Sequence, residues 1–171
     1  IMCGIFGLAV NKNQTITNKK QLDQALDVLS HRGPDQSGVY FNKQVYLGHK
    51  RLSIIDPDNG KQPMISNDKR YIITFNGEIF NYKSIRNTLI TKGYSFNTNS
   101  DTEVILAAFD FFSFDCLQYF NGMFSFAIWD TLKKQLFLAR DRFGIKPLFF
   151  LMPENKIIFG SEIKSLYKSG I

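Results

Sequence analysis

The sequence predicts an α+β domain in which antiparallel sheets are stacked and helices lie on the outside. Strand-like segments are joined by links of hairpin length at 130–134 and 153–155, which is typical of antiparallel pairing. The helical segments form a block between two blocks of strands and do not alternate with them. One strand-like segment, 124–129 (FSFAIW), is apolar on both faces, so it needs cover on both sides.

The first third of the chain predicts a strand, a helix and a hairpin. Residues 5–10 are apolar and form the strand. Asn18 can cap a helix whose apolar positions 22, 25, 26 and 29 recur with helical spacing. Residues 39–41 and 45–47 are typical of hairpin strands, and an extended segment continues to residue 55.

The middle of the chain predicts a strand and two helices. The strand 71–75 leads into Asn76-Gly77, a dipeptide that favours a turn with positive φ. Asn81 can cap a helix that ends at Gly93. The segment 100–103 (SDTE) has the spacing of a capping box for the next helix.

The last third predicts four strands and a final helix. The strands are 123–129, 135–140, 148–152 and 156–159, and the helix begins near Ser161. Neither a repeat nor a low-complexity linker interrupts the chain, so we expect one domain over residues 1–171.

Composition argues against several classes of function. The formal net charge of +6 over 171 residues is dispersed, so nucleic-acid binding is not favoured. No apolar run is long enough for a membrane helix, and no signal peptide is visible. The two cysteines and two histidines lack metal-binding spacing, so we expect no metal site. A reduced cytoplasmic setting is expected.

Cys3 is the candidate nucleophile, with its own α-amine as the base. An α-amine has a pKa of about 7.7–8.0 and a thiol about 8.5, so the amine can accept the thiol proton near neutral pH. This chemistry requires Cys3 to be the first residue. We expect Met2 to be a removable initiator and Ile1 to be a remnant or an unprocessed extension. The alternative for Cys3 is a buried cysteine in a first strand.

Four further residues complete a site for a free amino acid. Asn76 and the Gly77 amide could form an oxyanion hole, Arg51 could hold an α-carboxylate, and Asp101 could bind an α-ammonium group. The alternatives are an ordinary turn, a surface ion pair, and an acid favoured by the helix dipole. Taken together, these groups and a thiol suit attack on a side-chain amide, which gives a thioester and ammonia.

The sequence resembles the glutaminase domain of class II glutamine amidotransferases, most closely that of the glutamine-hydrolysing asparagine synthetases. The resemblance covers essentially the whole chain. It is carried by the segments 2–7 (MCGIFG), 31–35 (HRGPD), 37–38 (SG), 48–56 (GHKRLSIID), 62–64 (QPM), 75–82 (FNGEIFNY), 100–103 (SDTE), 122–124 (GMF), 139–148 (ARDRFGIKPL) and 161–164 (SEIK).

The resemblance implies a four-layer αββα sandwich of the N-terminal nucleophile hydrolase type. It implies Cys3 as nucleophile, Asn76 and Gly77 as oxyanion hole, Arg51 as carboxylate partner and Asp101 as ammonium partner. Backbone around Leu52, Ile54 and Glu78 is expected to line the glutamine pocket. By the same resemblance, 31–35 is a structural loop near the site. The segment 140–147 shapes the fold or contacts a synthetase domain.

The resemblance also implies partners. In this family, ammonia passes to a C-terminal synthetase domain that binds ATP and Mg, acting in cis or in trans. The pyrophosphate-loop motif of that domain does not occur here, so the chain is expected to need no cofactor of its own and to be an excised glutaminase half. The residues leave open another acceptor such as a sugar carboxylate, a non-catalytic docking module, and a homodimer.

Overall fold

The computed structural model describes residues 2–52 and 60–171 of the chain. Within them the strands are β1 (Gly4–Val10), β2 (Gln36–Phe41), β3 (Val45–Arg51), β4 (Met64–Ile65), β5 (Tyr71–Ile79), β6 (Gly122–Asp130), β7 (Gln135–Arg140), β8 (Phe149–Leu151) and β9 (Lys156–Gly160). The helices are α1 (Lys19–Asp27), α2 (Tyr82–Thr91), α3 (Asp101–Phe112), a 3-10 helix (Ser113–Tyr119) and α4 (Ile163–Lys168).

The strands form two antiparallel sheets. The five-stranded sheet has the order β2-β3-β1-β9-β8, and the four-stranded sheet has the order β4-β5-β6-β7. In the first sheet β1 pairs with β3 on one side and with β9 on the other, so the two ends of the chain lie side by side. The predicted hairpins at 130–134 and 153–155 are confirmed by the β6–β7 and β8–β9 pairings.

Three layers of apolar side chains separate four layers of structure. Successive side chains of a strand point to opposite faces, and β1 shows it: Phe6 packs with Leu26 of α1, whereas Ile5 packs with Trp129 between the sheets. Phe126 of β6 belongs to a third cluster with α2 and α3. The predicted α+β class and the αββα layering are therefore confirmed.

The helix caps follow the sequence at Asn18 and Ser100 but not at Asn81. The Asn81 side chain makes no cap bond to α2; it accepts from the Asn121 amide and donates to the Tyr119 carbonyl, both at 2.9 Å. Asn18 Oδ1 accepts a hydrogen bond from the Gln21 amide at 3.2 Å, and Ser100 Oγ accepts one from the Thr102 amide at 3.1 Å. In a capping box the Glu103 side chain would accept from the Ser100 amide, but that amide donates to Thr98 Oγ1. Glu103 instead accepts from the Thr98 backbone and hydroxyl at 2.8 and 2.7 Å, so it fixes the loop ahead of the helix.

The turn predicted at Asn76-Gly77 is wrong. Strand β5 runs straight through both residues to Ile79, with Asn76 opposite Ser125 and Gly77 opposite Phe124 of β6. The positive φ is present, at 154° for Gly77. The close approach of a neighbouring backbone also requires glycine here, because a Cβ on Gly77 would lie 2.2 Å from the carbonyl oxygen of Met123.

Two polar contacts tie the sheets together beside the site. Thr74 Oγ1 of β5 donates to the Gly48 carbonyl of β3 at 3.1 Å. His49 Nε2 of β3 donates to the Phe75 carbonyl of β5 at 2.9 Å. The ends of β3 and β5 that carry Arg51 and Asn76 are thereby held at a fixed separation.

Candidate active site

A cavity of about 170 Å³ opens where β1, β3, β5 and the first turn of α3 meet. That volume is below the usual range of drug-sized ligand pockets, about 300–1,000 Å³, and suits a small metabolite. The residues lining it are Met2, Cys3, Arg51, Leu52, Gly60, Gln62, Phe75, Asn76, Gly77, Glu78, Ser100, Asp101, Thr102, Met123 and Lys146.

Cys3 holds its thiol against the end of β3. The Sγ atom donates to the Leu52 carbonyl at 3.5 Å and accepts from the Leu52 amide at 3.3 Å. Burial raises the pKa of the Cys3 thiol, and the Leu52 amide and the nearby charges of Arg51 and Lys146 offset part of that rise. The resting sulfur is therefore a protonated thiol that needs a base before it can attack.

Asn76 lines the cavity and carries an unused hydrogen-bond donor. The residue is 1% exposed, and its Nδ2 is buried without a partner among the described residues. Buried donors are nearly always paired, so one left without a partner on a cavity wall suits a ligand atom. Gly77 lies next to it on the same wall, where its backbone reaches close to Met123 because it lacks a side chain.

Arg51 is placed by the pairing of β2 with β3. It stands opposite Gln36, and its Nη1 donates to Gln36 Oε1 at 2.9 Å. The side chain is 4% exposed and lines the cavity beside Cys3. A buried guanidinium with a fixed fork is suited to a ligand carboxylate.

Asp101 is the first residue of α3, and its carboxylate turns back toward β5. Its Oδ2 accepts a hydrogen bond from the Ile79 amide at 3.1 Å. Burial raises the pKa of Asp101 to about 6, and the nearby carboxylate of Glu78 adds to the rise. A ligand ammonium group would reverse both effects, since an opposite charge favours the ionised form.

The structure therefore brings the predicted site residues together around one cavity. They come from four separate segments of the chain: Cys3, Arg51, Leu52, Asn76, Gly77, Glu78 and Asp101. Ile54, also predicted to line the pocket, falls in 53–59 and lies outside the described residues.

Gln62 is a site residue that the sequence reasoning did not single out. Its Oε1 accepts from the Phe75 amide at 2.6 Å, and its Nε2 donates to Thr102 Oγ1 at 3.4 Å. It thus ties the strand that carries Asn76 to the helix that carries Asp101. The available signal was the 62–64 segment of the family resemblance, but nothing local in the sequence reveals contacts 13 and 40 residues away.

The loop after β7 contributes one side chain to the cavity. Asp141 accepts from the amides of Phe143, Ile145 and Lys146 at 2.9–3.1 Å, and these bonds hold its pKa below the ordinary value despite burial. The segment was expected to shape the fold or contact a further domain, and Asp141 does organise the loop. Lys146 additionally lines the cavity, with its Nζ 2.8 Å from Met2 Sδ.

The 31–35 loop steadies the backbone of Cys3. Arg32 Nε donates to the Cys3 carbonyl at 3.0 Å, and its Nη1 donates to Glu162 Oε1 at 3.0 Å. Glu162 also bonds His31 at 2.9 Å and Lys164 at 3.1 Å. The hydrogen bonds from Arg32, Lys164 and His31 outweigh burial and lower the pKa of Glu162 to about 2.

A larger cavity, of about 390 Å³, lies between β4 and α3, but its carboxylates are already engaged. Asp110 accepts from the Tyr94 hydroxyl, and Glu103 accepts from Asn97 and Thr98. The smaller cavity is therefore the better candidate, since it combines a thiol with an unpaired donor.

Residues 2–52 and 60–171 contain neither a candidate metal cluster nor a candidate membrane helix. No cluster of three His, Cys, Asp or Glu side chains in these ranges could hold a metal ion. No helix in them is both long and apolar enough to cross a membrane.

One family model and several relatives match nearly the whole chain by sequence. A sequence model of the glutamine amidotransferase domain matches residues 2–170. Asparagine synthetase (glutamine-hydrolyzing) 3 of Bacillus subtilis is 42% identical over 167 residues, which are 96% of this chain and 27% of that protein. Asparagine synthetase (glutamine-hydrolyzing) 1 of the same organism is 44% identical over 96% of this chain and 26% of its own length. The Zea mays asparagine synthetase (glutamine-hydrolyzing) is 37% identical, also over 96% of this chain, and 28% of it is covered. The chain thus spans about a quarter of the length of these relatives.

Comparison with solved structures supports the fold. The glutamine phosphoribosylpyrophosphate amidotransferase from B. subtilis, solved with ADP and GMP, superposes with a TM-score of 0.80 at 20% identity. The match covers 98% of this chain and 44% of that one. At this identity the likeness shows a shared αββα fold, as expected from the family resemblance.

Proposed function

Because the chain belongs to the glutamine amidotransferase domain family, we propose that it hydrolyses the side-chain amide of glutamine through a thioester on Cys3. The observation that carries the proposal is that Cys3 and Asn76 line the same cavity and that Asn76 Nδ2 has no hydrogen-bond partner among the described residues. A nucleophile and a hydrogen-bond donor for the developing oxyanion are the two parts that acyl transfer needs.

The first half of the reaction forms the thioester. Once Ile1 and Met2 are removed, the Cys3 α-amine takes the thiol proton, and the sulfur attacks the amide carbon of glutamine. Asn76 Nδ2 and the Gly77 amide stabilise the oxygen of the tetrahedral intermediate. The amine returns the proton to the leaving nitrogen, the C–N bond breaks, and ammonia departs.

The second half uses the same groups. The α-amine accepts a proton from water, the hydroxide attacks the thioester carbon, and the C–S bond breaks. The thiolate regains its proton and glutamate leaves. The proposed steps use only Cys3, Asn76, Gly77 and water.

Substrate binding is assigned to two charges. Arg51 binds the α-carboxylate of glutamine and Asp101 its α-ammonium group, with Leu52, Ile54 and Glu78 forming the walls. Each of these two buried groups then faces an opposite charge, and a zwitterionic amino acid supplies both charges.

The ammonia is proposed to serve asparagine synthesis by a synthetase domain, in cis or in trans, that binds ATP and Mg. The names of the relatives and the quarter of their length that this chain covers support this assignment. Apolar side chains left exposed on the loop beside the site, Phe143 at 87% and Ile145 at 55%, suit a contact with such a domain. We place the protein in the cytoplasm, where a thiol nucleophile stays reduced.

The test is a glutaminase assay on protein that mass spectrometry has shown to begin at Cys3. We expect glutamate and ammonia in equal amounts, and neither product from Cys3→Ala. Cys116→Ala removes the other thiol, which is buried in the core away from the cavity, and is the matched control that should remain active.

Two outcomes would overturn this function. Equal turnover by Cys3→Ala would remove the thioester. Undiminished turnover by chain that still carries Met2 would show that a base other than the α-amine serves.

A further inference from the structure

Lys146 is a buried cation that the proposed glutaminase reaction does not use. The residue is 5% exposed and lines the cavity. Its backbone is fixed on both sides, since its amide donates to Asp141 Oδ2 at 2.9 Å and its carbonyl accepts from Arg140 Nε at 2.8 Å. The loop therefore presents this side chain to the cavity in a set direction.

The contact of the ammonium group is unusual. Its Nζ is 2.8 Å from Met2 Sδ, and no carboxylate of the described residues lies within salt-bridge distance of it. Buried charges are normally paired, and a thioether is only a weak acceptor. The contact also joins Lys146 to Met2, the residue that is bonded directly to the nitrogen of Cys3.

We propose, on the basis of the function above, that Lys146 keeps the α-amine of Cys3 neutral after Met2 has been removed, so that the amine can act as the base. Loss of Met2 removes the sulfur from Nζ and leaves a second amine on Cys3, which lines the same cavity as Lys146. Two ammonium groups there repel each other, and one must give up its proton. The α-amine loses it first, because its ordinary pKa is about 7.7–8.0 against about 10.4 for lysine.

The surrounding charges leave this role to Lys146. Arg32 is paired with Glu162, and Asp141 is saturated by backbone amides. Arg51 and Asp101 meet the two charges of bound glutamine. The carboxylate of Glu78 is the one remaining charge that faces the site from the described elements, and it acts in the opposite sense by favouring a protonated amine.

The electrostatic environment of Lys146 acts on its pKa in both directions. Burial and the charge of Arg32 lower the pKa of Lys146, whereas Cys3, Glu78 and Asp141 raise it. The interaction with Cys3 is mutual, since Lys146 also favours the thiolate form of that residue. One cation thus assists both partners of the proton transfer.

The experiment compares kcat at saturating glutamine against pH, from about pH 5.5 to about pH 9, for the wild-type chain and Lys146→Met, both beginning at Cys3. Saturation matters because Asp101 is then paired with the substrate and does not contribute its own titration. Methionine matches lysine in length and removes only the charge. We expect the acid limb to move to higher pH by about one unit, which is roughly a tenfold loss on that limb, with kcat retained above it.

Two variants and a second readout distinguish charge from packing. Lys146→Arg keeps the charge and should restore the wild-type profile. Lys133→Met removes an exposed lysine in the β6–β7 turn and should not shift it. The rate of Cys3 alkylation by iodoacetamide against pH, in a Cys116→Ala background, reports the same shift without turnover.

The outcomes separate this inference from the function on which it rests. A wild-type chain that releases no ammonia would overturn the glutaminase function. An active wild-type chain whose profile superposes on that of Lys146→Met would overturn the role of Lys146. A uniform loss of kcat with an unmoved acid limb would also overturn it, since it would show a packing role.

Discussion

Asn76 places a hydrogen-bond donor in a buried position where no atom of the described residues accepts it. A buried donor without a partner costs about 1–3 kcal/mol of stability. In the proposed reaction the same donor faces the oxygen that becomes negative in the transition state. The residue therefore opposes folding and promotes catalysis, and the two effects can be measured separately.

Replacing Asn76 with alanine is expected to lower kcat by about 10²- to 10³-fold, as for other oxyanion-hole donors, with little change in KM. The free energy of unfolding should not fall, because the unsatisfied donor is removed. Steady-state glutaminase kinetics and urea denaturation give the two values.

Ser125→Ala is the matched control for Asn76→Ala. Ser125 stands opposite Asn76 on β6, and its Oγ is likewise buried without a partner among the described residues, but it does not line the cavity. Its removal should leave kcat near the wild-type value. A large loss of kcat in this control, or none in Asn76→Ala, would contradict the assignment.

At the scale of residues, the sequence predicts the roles of charged and nucleophilic side chains better than the roles of the side chains that position them. Cys3, Arg51 and Asp101 have chemistry that suggests a role even in isolation, and the family resemblance selects that role. Gln62 and Lys146 act through partners that only the folded chain supplies: Phe75 for one, and Met2, 144 positions away, for the other. Neither contact leaves a local pattern in the sequence.

At the scale of elements, β5 shows why a local signal can fail. An Asn-Gly pair favours a hairpin turn when the flanking strands can pair with each other. Here β5 pairs with β6 across nine residues, from Tyr71 opposite Asp130 to Ile79 opposite Gly122, and this ladder carries the strand through the dipeptide. The helix caps at Asn18 and Ser100 were predictable because their hydrogen bonds span only two or three residues.

Gly77→Ala should destabilise the protein by more than Gly93→Ala does. Both glycines have positive φ, 154° and 93°, so both substitutions strain the backbone, by roughly 1 kcal/mol. Only at Gly77 does the new methyl group meet backbone, 2.2 Å from Met123 O, whereas at Gly93 nothing lies within 4 Å. We expect an additional loss of about 1–3 kcal/mol at Gly77.

Urea denaturation of the two glycine variants measures this difference directly. Gly93 follows α2 in open space, so the loss of stability in its variant reports only the cost of the positive φ. The further loss in the Gly77 variant then reports the cost of the contact. Equal losses would mean that β6 can move aside, and that close approach of the two strands does not explain the glycine at position 77.

At the scale of the whole molecule, the site depends on how the two sheets are stacked. Cys3 and Arg51 lie at the end of the five-stranded sheet, and Asn76 and Gly77 belong to the four-stranded one. Strands that are apolar on both faces predict sheets that are covered on both sides, but they do not fix the strand order or the offset between the sheets. His49 helps to set that offset, since it reaches from β3 to the carbonyl that precedes Asn76.

His49 makes the stability of this stacking depend on pH. The side chain is fully buried and donates to the Phe75 carbonyl, and burial lowers its pKa from 6.5 to about 4. Above pH 6.5 the residue is neutral in both the folded and the unfolded chain. As the pH falls from 6.5 toward 4, His49 becomes protonated in the unfolded chain but stays neutral in the folded chain. The free energy of unfolding therefore decreases across this window.

His49→Gln keeps a donor for the Phe75 carbonyl but does not titrate, so it should remove this loss. Between pH 6.5 and pH 4, the wild type should lose roughly 3 kcal/mol relative to the variant, at about 1.4 kcal/mol per pH unit. Asp101 has a raised pKa, and its contribution therefore falls as the pH rises through nearly the same window, but it is present in both chains and cancels in the difference. Urea denaturation of both chains at half-unit pH steps gives that difference, and parallel curves would show that His49 accepts its proton in the folded state without cost.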